Sequence, residues 1–246
     1  MTADALPPRP LTGKAWVFGG TSGIGLATAR QLAQAGCDVV VAGRSGEGLA
    51  KALSALPAGV QGEAVDAADA DALAAAFARH GEFRHLVVSV GGSSAIGAYR
   101  DLSESQLRAT LEGKFWAFQR VTQAALRHLR EGSITWVTGA AARAAIPGMS
   151  ALAASNGALH AMVGTLAREL APIRVNAVSP GFIDTPYWSR AMDADTRAKT
   201  YAAMAAMVPA QRVGTPDDVA AAILMCVGNG FVTGTVIDCD GGRRLV

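Results

Sequence analysis

A glycine-rich turn near the start of the chain has the residue types and spacing to bind a pyrophosphate group. Its members are Gly19, Thr21, Ser22, Gly23, Ile24 and Gly25. Glycine lacks a Cβ atom, so the backbone can turn tightly and approach a phosphate, while the free N–H groups at a helix start attract the anion. The two hydroxyl groups add donors. This pattern predicts a dinucleotide-binding turn if it joins a strand to a helix.

The flanking sequence supplies that strand and that helix. Residues 14–18 form a short apolar run, which predicts a buried strand. After the turn, apolar residues recur at helical spacing from Leu26 to Ala33, and Gly36 ends the pattern. The glycine turn is therefore placed between a first strand and a first helix.

The end of the second predicted strand, residues 38–42, bears on the choice of cofactor. There the adenosine ribose of a dinucleotide would meet Gly43, Arg44 and Ser45. An acid at Gly43 would bond the ribose 2′-hydroxyl, whereas a guanidinium and a hydroxyl suit a 2′-phosphate. NADP(H) is predicted in preference to NAD(H). The alternative is that Arg44 is a solvated charge at a strand end.

Strand-like and helix-like runs alternate along the rest of the chain. Further strands are predicted at 61–65, 86–90, 133–138, 174–178 and 235–238, and helices at 68–80, 103–129, 149–170 and 216–227. Such alternation is typical of a doubly wound parallel sheet with helices on both faces, a Rossmann fold. Residues 182–209 are predicted to form a mobile amphipathic cover over a cleft, with an ordinary pair of surface helices as the alternative.

Length, charge and cysteine content limit the classes of protein that this chain can be. Its 246 residues fit one α/β domain, preceded by a flexible segment at 1–10 that lacks the apolar core of a signal peptide. A net charge of +2 with scattered basic residues argues against a nucleic-acid partner. The 3 dispersed cysteines favour no metal cluster and a reducing compartment, so the cytoplasm is expected. The sequence also lacks an apolar run of membrane-spanning length.

Taken together, these motifs resemble the short-chain dehydrogenase/reductase family over about residues 11–242. The resemblance implies that Asp66, after the third strand, holds the adenine, and that Gly91 follows the fourth strand. It also places cofactor contacts with the nicotinamide carboxamide and the phosphates after the sixth strand, at Pro180, Gly181, Ile183 and Thr185. A homo-oligomer, either a dimer or a tetramer, is implied as well.

The catalytic residues of that family are not present at the matching positions. Family members use a proton-donating Tyr, a Lys four residues later, a Ser and an Asn. The corresponding positions here are Leu152, Asn156, Gly139 and Lys114. A leucine cannot donate a proton, so the family's general acid is missing. Because Lys114 and Asn156 exchange the family's amide and amine, we expect a rebuilt site.

We therefore predict that Lys114 points into the cleft and serves as proton donor or oxyanion partner, with a pKa lowered by burial. The alternative places it on the solvent side or in a structural salt bridge. Four weaker candidates are Thr138 and Ser150, which we expect to be caps, Tyr187 on the cover, and His160, which we expect in an interface.

Two functions follow from the sequence. The first is an NADP(H)-dependent oxidoreductase with non-standard proton-donor residues, acting on a small hydrophobic carbonyl, imine or enone. The second is a catalytically inactive NADP(H)-binding sensor or partner subunit. They differ in whether the nicotinamide pocket opens onto a cavity containing Lys114 or is filled by Leu152 and its neighbours.

Overall fold

In the part of the chain that the structure describes, seven parallel strands form one sheet in the order β3-β2-β1-β4-β5-β6-β7. The structure is a computed structural model that describes residues 11–92 and 94–246, so the predicted flexible segment at 1–10 lies outside the described residues. The strands are β1 Lys14–Phe18, β2 Asp38–Gly43, β3 Gln61–Ala64, β4 Phe83–Val88, β5 Leu129–Val137, β6 Arg174–Pro180 and β7 Val236–Cys239. The strand order changes direction between β1 and β4, and in such sheets ligands bind at the carboxyl ends beside this point.

Helices cover both faces of the sheet. They are α1 Gly23–Gln34, α2 Gly46–Ser54, α3 Ala70–His80, α4 Glu104–Leu111, α5 Ala117–Ala125, α6 Ser150–Glu169, α7 Pro186–Ala191, α8 Ala194–Met207 and α9 Pro216–Gly228. Side chains of β1 alternate between the faces: Trp16 packs in a core with α3, α5 and α6, while Val17 packs in a second core with α1 and α9. This confirms the predicted doubly wound α/β fold.

The predicted helix at 103–129 is wrong in its continuity and in its end. The structure has α4, a π-helical turn at Glu112–Trp116, and then α5, which ends at Ala125. Leu129 instead begins β5 because it pairs with Phe83 and is almost completely buried. The strands predicted at 86–90 and 133–138 both begin too late for the same reason, since pairing extends to these earlier residues.

Two helices, α7 and α8, occupy the segment predicted as a cover, and no residue of α8 is buried. This agrees with the alternative of a surface helix pair, and its mobility stays a prediction. The sequence reasoning also missed α2. Among the helices in the described part of the chain, none combines the length and apolar character needed to cross a bilayer.

Candidate functional site

The glycine turn joins β1 to α1 and has the geometry of a phosphate cradle. Gly19 and Gly23 have φ angles of 76° and 53°, in the left-handed region that favours glycine. A Cβ on Gly19 would lie 2.5 Å from the carbonyl oxygen of Ser89, and a Cβ on Gly25 would overlap the carbonyl oxygen of Gly19. The turn therefore leaves no room for side chains at these positions.

The start of α1 is free of the side-chain groups that would compete with an anion. Its N-cap, Ser22, makes no side-chain hydrogen bond to the helix, and its first turn contains no acidic residue. Backbone N–H groups at a helix start attract phosphate. The residues present thus fit the pyrophosphate of a dinucleotide.

The loop after β6 returns to the same place. A Cβ on Gly23 would lie 3.3 Å from Cγ2 of Thr185, so Thr185 stands beside the glycine turn. Gly181 packs closely on Asp240, because a Cβ there would come within 2.8 Å of the Asp240 Cα. Ile183 is buried, whereas the position of a Cβ on Gly91 faces open space. The structure therefore brings Thr185 to the turn, while its contact with the cofactor phosphates stays a prediction.

The end of β2 presents Arg44 to solvent, and Arg44 forms no ion pair within residues 11–92 and 94–246. Ser45 is the N-cap of α2 and accepts a hydrogen bond from Gly48 N at 3.2 Å. A Cβ on Gly43 would lie 2.5 Å from Cγ2 of Thr21, so an acidic side chain at Gly43 would require Thr21 to move. This strand end therefore presents a guanidinium to solvent, and an acid at Gly43 would fit only if the Thr21 side chain turned away.

Asp66 is exposed at the end of β3, where its carboxylate accepts a hydrogen bond from Ala68 N at 3.0 Å. The bond stabilises the turn that precedes α3. Contact between Asp66 and an adenine stays a prediction.

Lys114 lies in the π-helical turn and extends towards the carboxyl ends of the central strands. Its Nζ donates to the carbonyl oxygen of Val137 at 2.7 Å, lies 3.5 Å from that of Val90, and lies 4.5 Å from the ring centroid of Phe118. It forms no salt bridge within the described residues. Desolvation by burial lowers the pKa of Lys114 to about 7. The amine is thus directed inward, and the alternative of a salt-bridged or solvent-facing lysine does not describe it.

Asn156 and Gly139 lie against each other in the wall of the site. Asn156 is 3% exposed, and its Nδ2 donates to the carbonyl oxygen of Leu152 at 3.0 Å. A Cβ on Gly139 would lie 3.2 Å from that Nδ2. Because the Leu152 carbonyl can only accept, the bond fixes the amide orientation, and Oδ1 finds no donor among the described residues. Leu152 itself is partly buried.

The structure gives three of the weaker candidates specific environments. Thr138 Oγ1 lies 2.8 Å from Nε2 of His160 and donates to the carbonyl oxygen of Val178 at 3.1 Å. Burial, followed by the charge of Arg143, lowers the pKa of His160. The expected capping role of Ser150 is wrong: Met149 is the N-cap of α6, and the buried Ser150 hydroxyl has no partner within the described chain.

Tyr187 is half exposed and packs edge-on against Trp188, which stacks on Phe182 at 4.4 Å. Sequence reasoning missed Tyr201 on α8, whose hydroxyl donates to Oδ1 of Asp184 at 2.6 Å. Desolvation and then the Asp184 carboxylate raise the pKa of Tyr201 to about 12, which makes this phenol a poor acid. This pair is evident only from the contact between α8 and the loop after β6.

Two cavities lie around α8. One of about 520 Å³ lies between α8 and the loop after β6, and Asp184, Thr185 and Tyr201 line it. The other, of about 400 Å³, lies at the end of β7 and is lined by Phe182, Asp238 and Arg244 among others. Neither is lined by Lys114, Leu152 or Asn156. A cavity with Lys114 in its wall would distinguish the oxidoreductase from the inactive sensor. Neither of these two cavities has Lys114 in its wall.

The parallel sheet, its change of strand order and the phosphate cradle define a nucleotide-binding protein of the doubly wound class. The family model described as enoyl-(acyl carrier protein) reductase matches residues 19–244. With this match, the chain belongs to the short-chain dehydrogenase/reductase family, whose members are oxidoreductases that bind a nicotinamide cofactor.

Individual relatives agree with this assignment. The 3-oxoacyl-[acyl-carrier-protein] reductase MabA of Mycobacterium tuberculosis is 31% identical, with 99% of this chain and 97% of MabA covered. The short-chain dehydrogenase/reductase ATR9 of Stachybotrys chlorohalonatus is 35% identical, with coverage of 93% and 96%. A solved small-chain dehydrogenase in complex with NADPH superposes with a TM-score of 0.81 at 33% identity, with 95% of this chain and 99% of that chain covered.

Proposed function

We propose that this protein is an NADP(H)-dependent oxidoreductase in which Lys114 replaces the family's tyrosine as proton donor. The observation that carries the proposal is the position of the Lys114 amine, 2.7 Å from the Val137 carbonyl oxygen at the carboxyl end of β5. The substrate class we propose is a small hydrophobic carbonyl, imine or enone.

The cofactor assignment is supported by both ends of the dinucleotide site. The glycine turn would hold the pyrophosphate, with Thr185 beside it, and Arg44 would pair with a 2′-phosphate. The relative solved in complex with NADPH has the same fold. When bound, NADPH supplies the hydride.

Lys114 has the acidity that the remaining step requires. With a pKa of about 7, about half of its amine is protonated at neutral pH, and a general acid works best when its pKa lies near the working pH. The ammonium can transfer a proton to the anion that forms on the substrate, while Val137 holds the neutral amine in place. General acid catalysis of this kind contributes on the order of 10²–10⁴ in rate.

The proposed substrate class follows from what Lys114 and its neighbours offer. Beside the partly buried Lys114 amine lie apolar groups, including Phe118 and the partly buried Leu152, which suit a small hydrophobic molecule. Imines and conjugated alkenes need less help from an acid than simple ketones do. MabA, a 3-oxoacyl reductase by name, supports carbonyl reduction as a member of the same class. Asn156 is included in the proposed site because its buried amide packs beside Gly139 in the wall.

The second candidate is a cofactor-binding sensor or partner subunit without redox turnover. One observation favours it: neither of the two cavities around α8 reaches Lys114, Leu152 or Asn156. We also propose a homo-oligomer in the cytoplasm. The exposed rings of Trp116, at 50%, and Phe231, at 99%, support an apolar contact between copies.

Titration with NADPH and NADH, followed by a panel of carbonyl, imine and enone compounds, tests the proposal. We expect tighter binding of NADPH and oxidation of it by at least one compound class. NADPH binding without oxidation across the panel would favour the sensor, and absence of binding by either dinucleotide would exclude both candidates.

A further inference from the structure

The helix that carries Lys114 changes its hydrogen-bond pattern at that residue. The π-helical turn at Glu112–Trp116 separates α4 from α5, and Lys114 is at its centre. A π turn adds one residue to an α-helix, which rotates the following side chains by about 100° relative to an uninterrupted helix. Such turns are rare and frequent at functional sites. The direction of the Lys114 side chain therefore depends on whatever holds this turn.

Gly92, in the loop after β4, lies directly against the turn. A Cβ on Gly92 would lie 2.5 Å from the Cα of Gly113 and 2.7 Å from its carbonyl carbon and oxygen. These are backbone atoms of the π turn, so no flexible side-chain end can move aside. The contact between two glycines lets the loop and the helix approach more closely than any side chain at Gly92 would allow.

A second link ties the same loop to α4, one turn earlier. The hydroxyl of Thr110 accepts a hydrogen bond from Ala95 N at 2.9 Å and donates to the carbonyl oxygen of Gln106 at 3.0 Å. Thr110 is 1% exposed. The loop is thus held to the helix at Thr110 and at Gly113, on the N-terminal side of Lys114. The carbonyl oxygen of Val90, two residues before Gly92, lies 3.5 Å from Nζ of Lys114.

We propose that Gly92 is a positioning residue for Lys114: its contact with Gly113 sets the π turn so that the Lys114 amine reaches the Val137 carbonyl. The relevance of this contact to catalysis rests on the proposed function, whereas the experiment below needs no substrate or cofactor. A methyl group at Gly92 pushes Gly113 outward, and the amine then leaves its buried position. Thr110 supports the same arrangement through the loop.

Trace acetylation with acetic anhydride across pH, read by peptide mass spectrometry, measures this placement without substrate or cofactor. Acetic anhydride reacts with the neutral amine and releases acetate, so the reaction follows deprotonation of each lysine. Lys51 and Lys199 serve as internal references. In the native protein we expect a midpoint near 7 for Lys114, well below the ordinary lysine value of about 10.4.

Gly92→Ala is expected to raise the Lys114 midpoint by at least about one pH unit, towards the ordinary lysine value. Gly164→Ala is the matched control, because a Cβ there meets nothing within 4 Å, and it should leave the midpoint unchanged.

The charged and titratable neighbours of Lys114 do not account for its midpoint. Glu112 and Arg120 pair with each other on the same helix, and His160, on α6, is the facing group whose pKa responds to the charge of Lys114. The His160 pKa is lowered, so His160 stays neutral above pH 7 and does not create the shift.

Should Gly92→Ala not fold, Thr110→Val and Thr110→Ser carry the test. The valine variant removes the hydroxyl at similar volume and should raise the midpoint, whereas the serine variant keeps the hydroxyl and should preserve it. Equal Lys114 reactivity in the native protein, Gly92→Ala and Thr110→Val at every pH would overturn the inference. A shifted midpoint in a protein that oxidises no NADPH would leave this inference standing and remove the proposed function.

Discussion

The carboxamide of Asn156 fills the space beside Gly139: a Cβ on Gly139 would lie 3.2 Å from Nδ2 and 3.8 Å from Oδ1 of Asn156. The family resemblance aligns these two positions with the serine and the lysine of the family's usual site, and this alignment stays a prediction. Their substitutions are matched in space, because the glycine leaves the room that the buried amide occupies. The wall of the site is therefore packed as it stands, and restoring one family residue alone should disturb it.

Gly139→Ser should lower stability, because the added side chain must displace the Asn156 amide, which is already bonded to Leu152. Overpacking of this kind costs about 1–3 kcal/mol, and we expect the lower end. Thermal unfolding measures the change. Gly157→Ala is the control, since a Cβ there meets nothing within 4 Å and alanine is the better helix former. A serine variant as stable as the native protein would show that the wall is looser than described.

Gly25→Ala should abolish dinucleotide binding, because the new Cβ overlaps the Gly19 carbonyl oxygen and deforms the cradle. Gly164→Ala, in open space on α6, should bind normally. Fluorescence titration with NADPH, together with circular dichroism to verify folding, provides the measurement. If a folded Gly25→Ala protein bound NADPH with native affinity, the glycine turn would not be the phosphate site.

Arg44→Ala should weaken NADPH binding by about 10-fold to 100-fold and leave NADH binding nearly unchanged. A hydrogen bond to a charged group contributes about 1.5–3 kcal/mol, and only NADPH carries the 2′-phosphate. Comparison of the two dissociation constants in native and variant protein gives the result. Equal losses for both cofactors would place Arg44 elsewhere, as a solvated charge.

The stability of the protein should depend on pH through Lys114. Burial lowers its pKa from 10.5 to about 7 in the folded protein. Between these values the unfolded chain binds more protons than the folded one, so folding stability rises with pH in this window. Below pH 7 Lys114 is charged in the folded protein as well, so the full free-energy cost of burying that charge lowers the stability.

Lys114→Met removes the buried charge. Between pH 7 and pH 9.5, the free energy of unfolding of the native protein should therefore increase relative to that of this variant. Denaturant unfolding of both proteins at several pH values measures the difference. The rest of the pH dependence cancels in this comparison. A difference that stays constant with pH would mean that Lys114 has an ordinary pKa.

Much of the fold was predictable because it follows from local patterns. The first strand at Lys14–Phe18 and the helix after the glycine turn are set by short apolar runs and by Gly36. The bounds near Leu129 were missed because its pairing with Phe83 is a contact between distant segments. Periodicity also cannot show the π turn, which depends on the approach of Gly92.

The site was predictable in its parts but not in its arrangement. The glycine spacing indicated the cradle, and the direction of Lys114 was a hypothesis from its position in the family pattern. Its bond to Val137 joins residues 23 positions apart. Asn156 Oδ1 lacks a donor among the described residues because Nδ2 is bonded to the Leu152 carbonyl oxygen, which fixes the amide orientation. The sequence does not single out Tyr201, because its hydrogen bond to Asp184 is a contact that only the structure shows.

Lys114 is the proposed proton donor, and the pH dependence of NADPH oxidation separates this role from a structural one. The measurement is kcat/KM between pH 5.5 and 9 for the most active compound of the carbonyl, imine and enone panel, in native protein and in Lys114→Met. We predict a native rate that falls as pH rises through about 7, where the ammonium is lost, and a variant about 10²–10⁴-fold slower with that fall removed. A variant that matches the native rate and pH profile would show that the proton comes from another group.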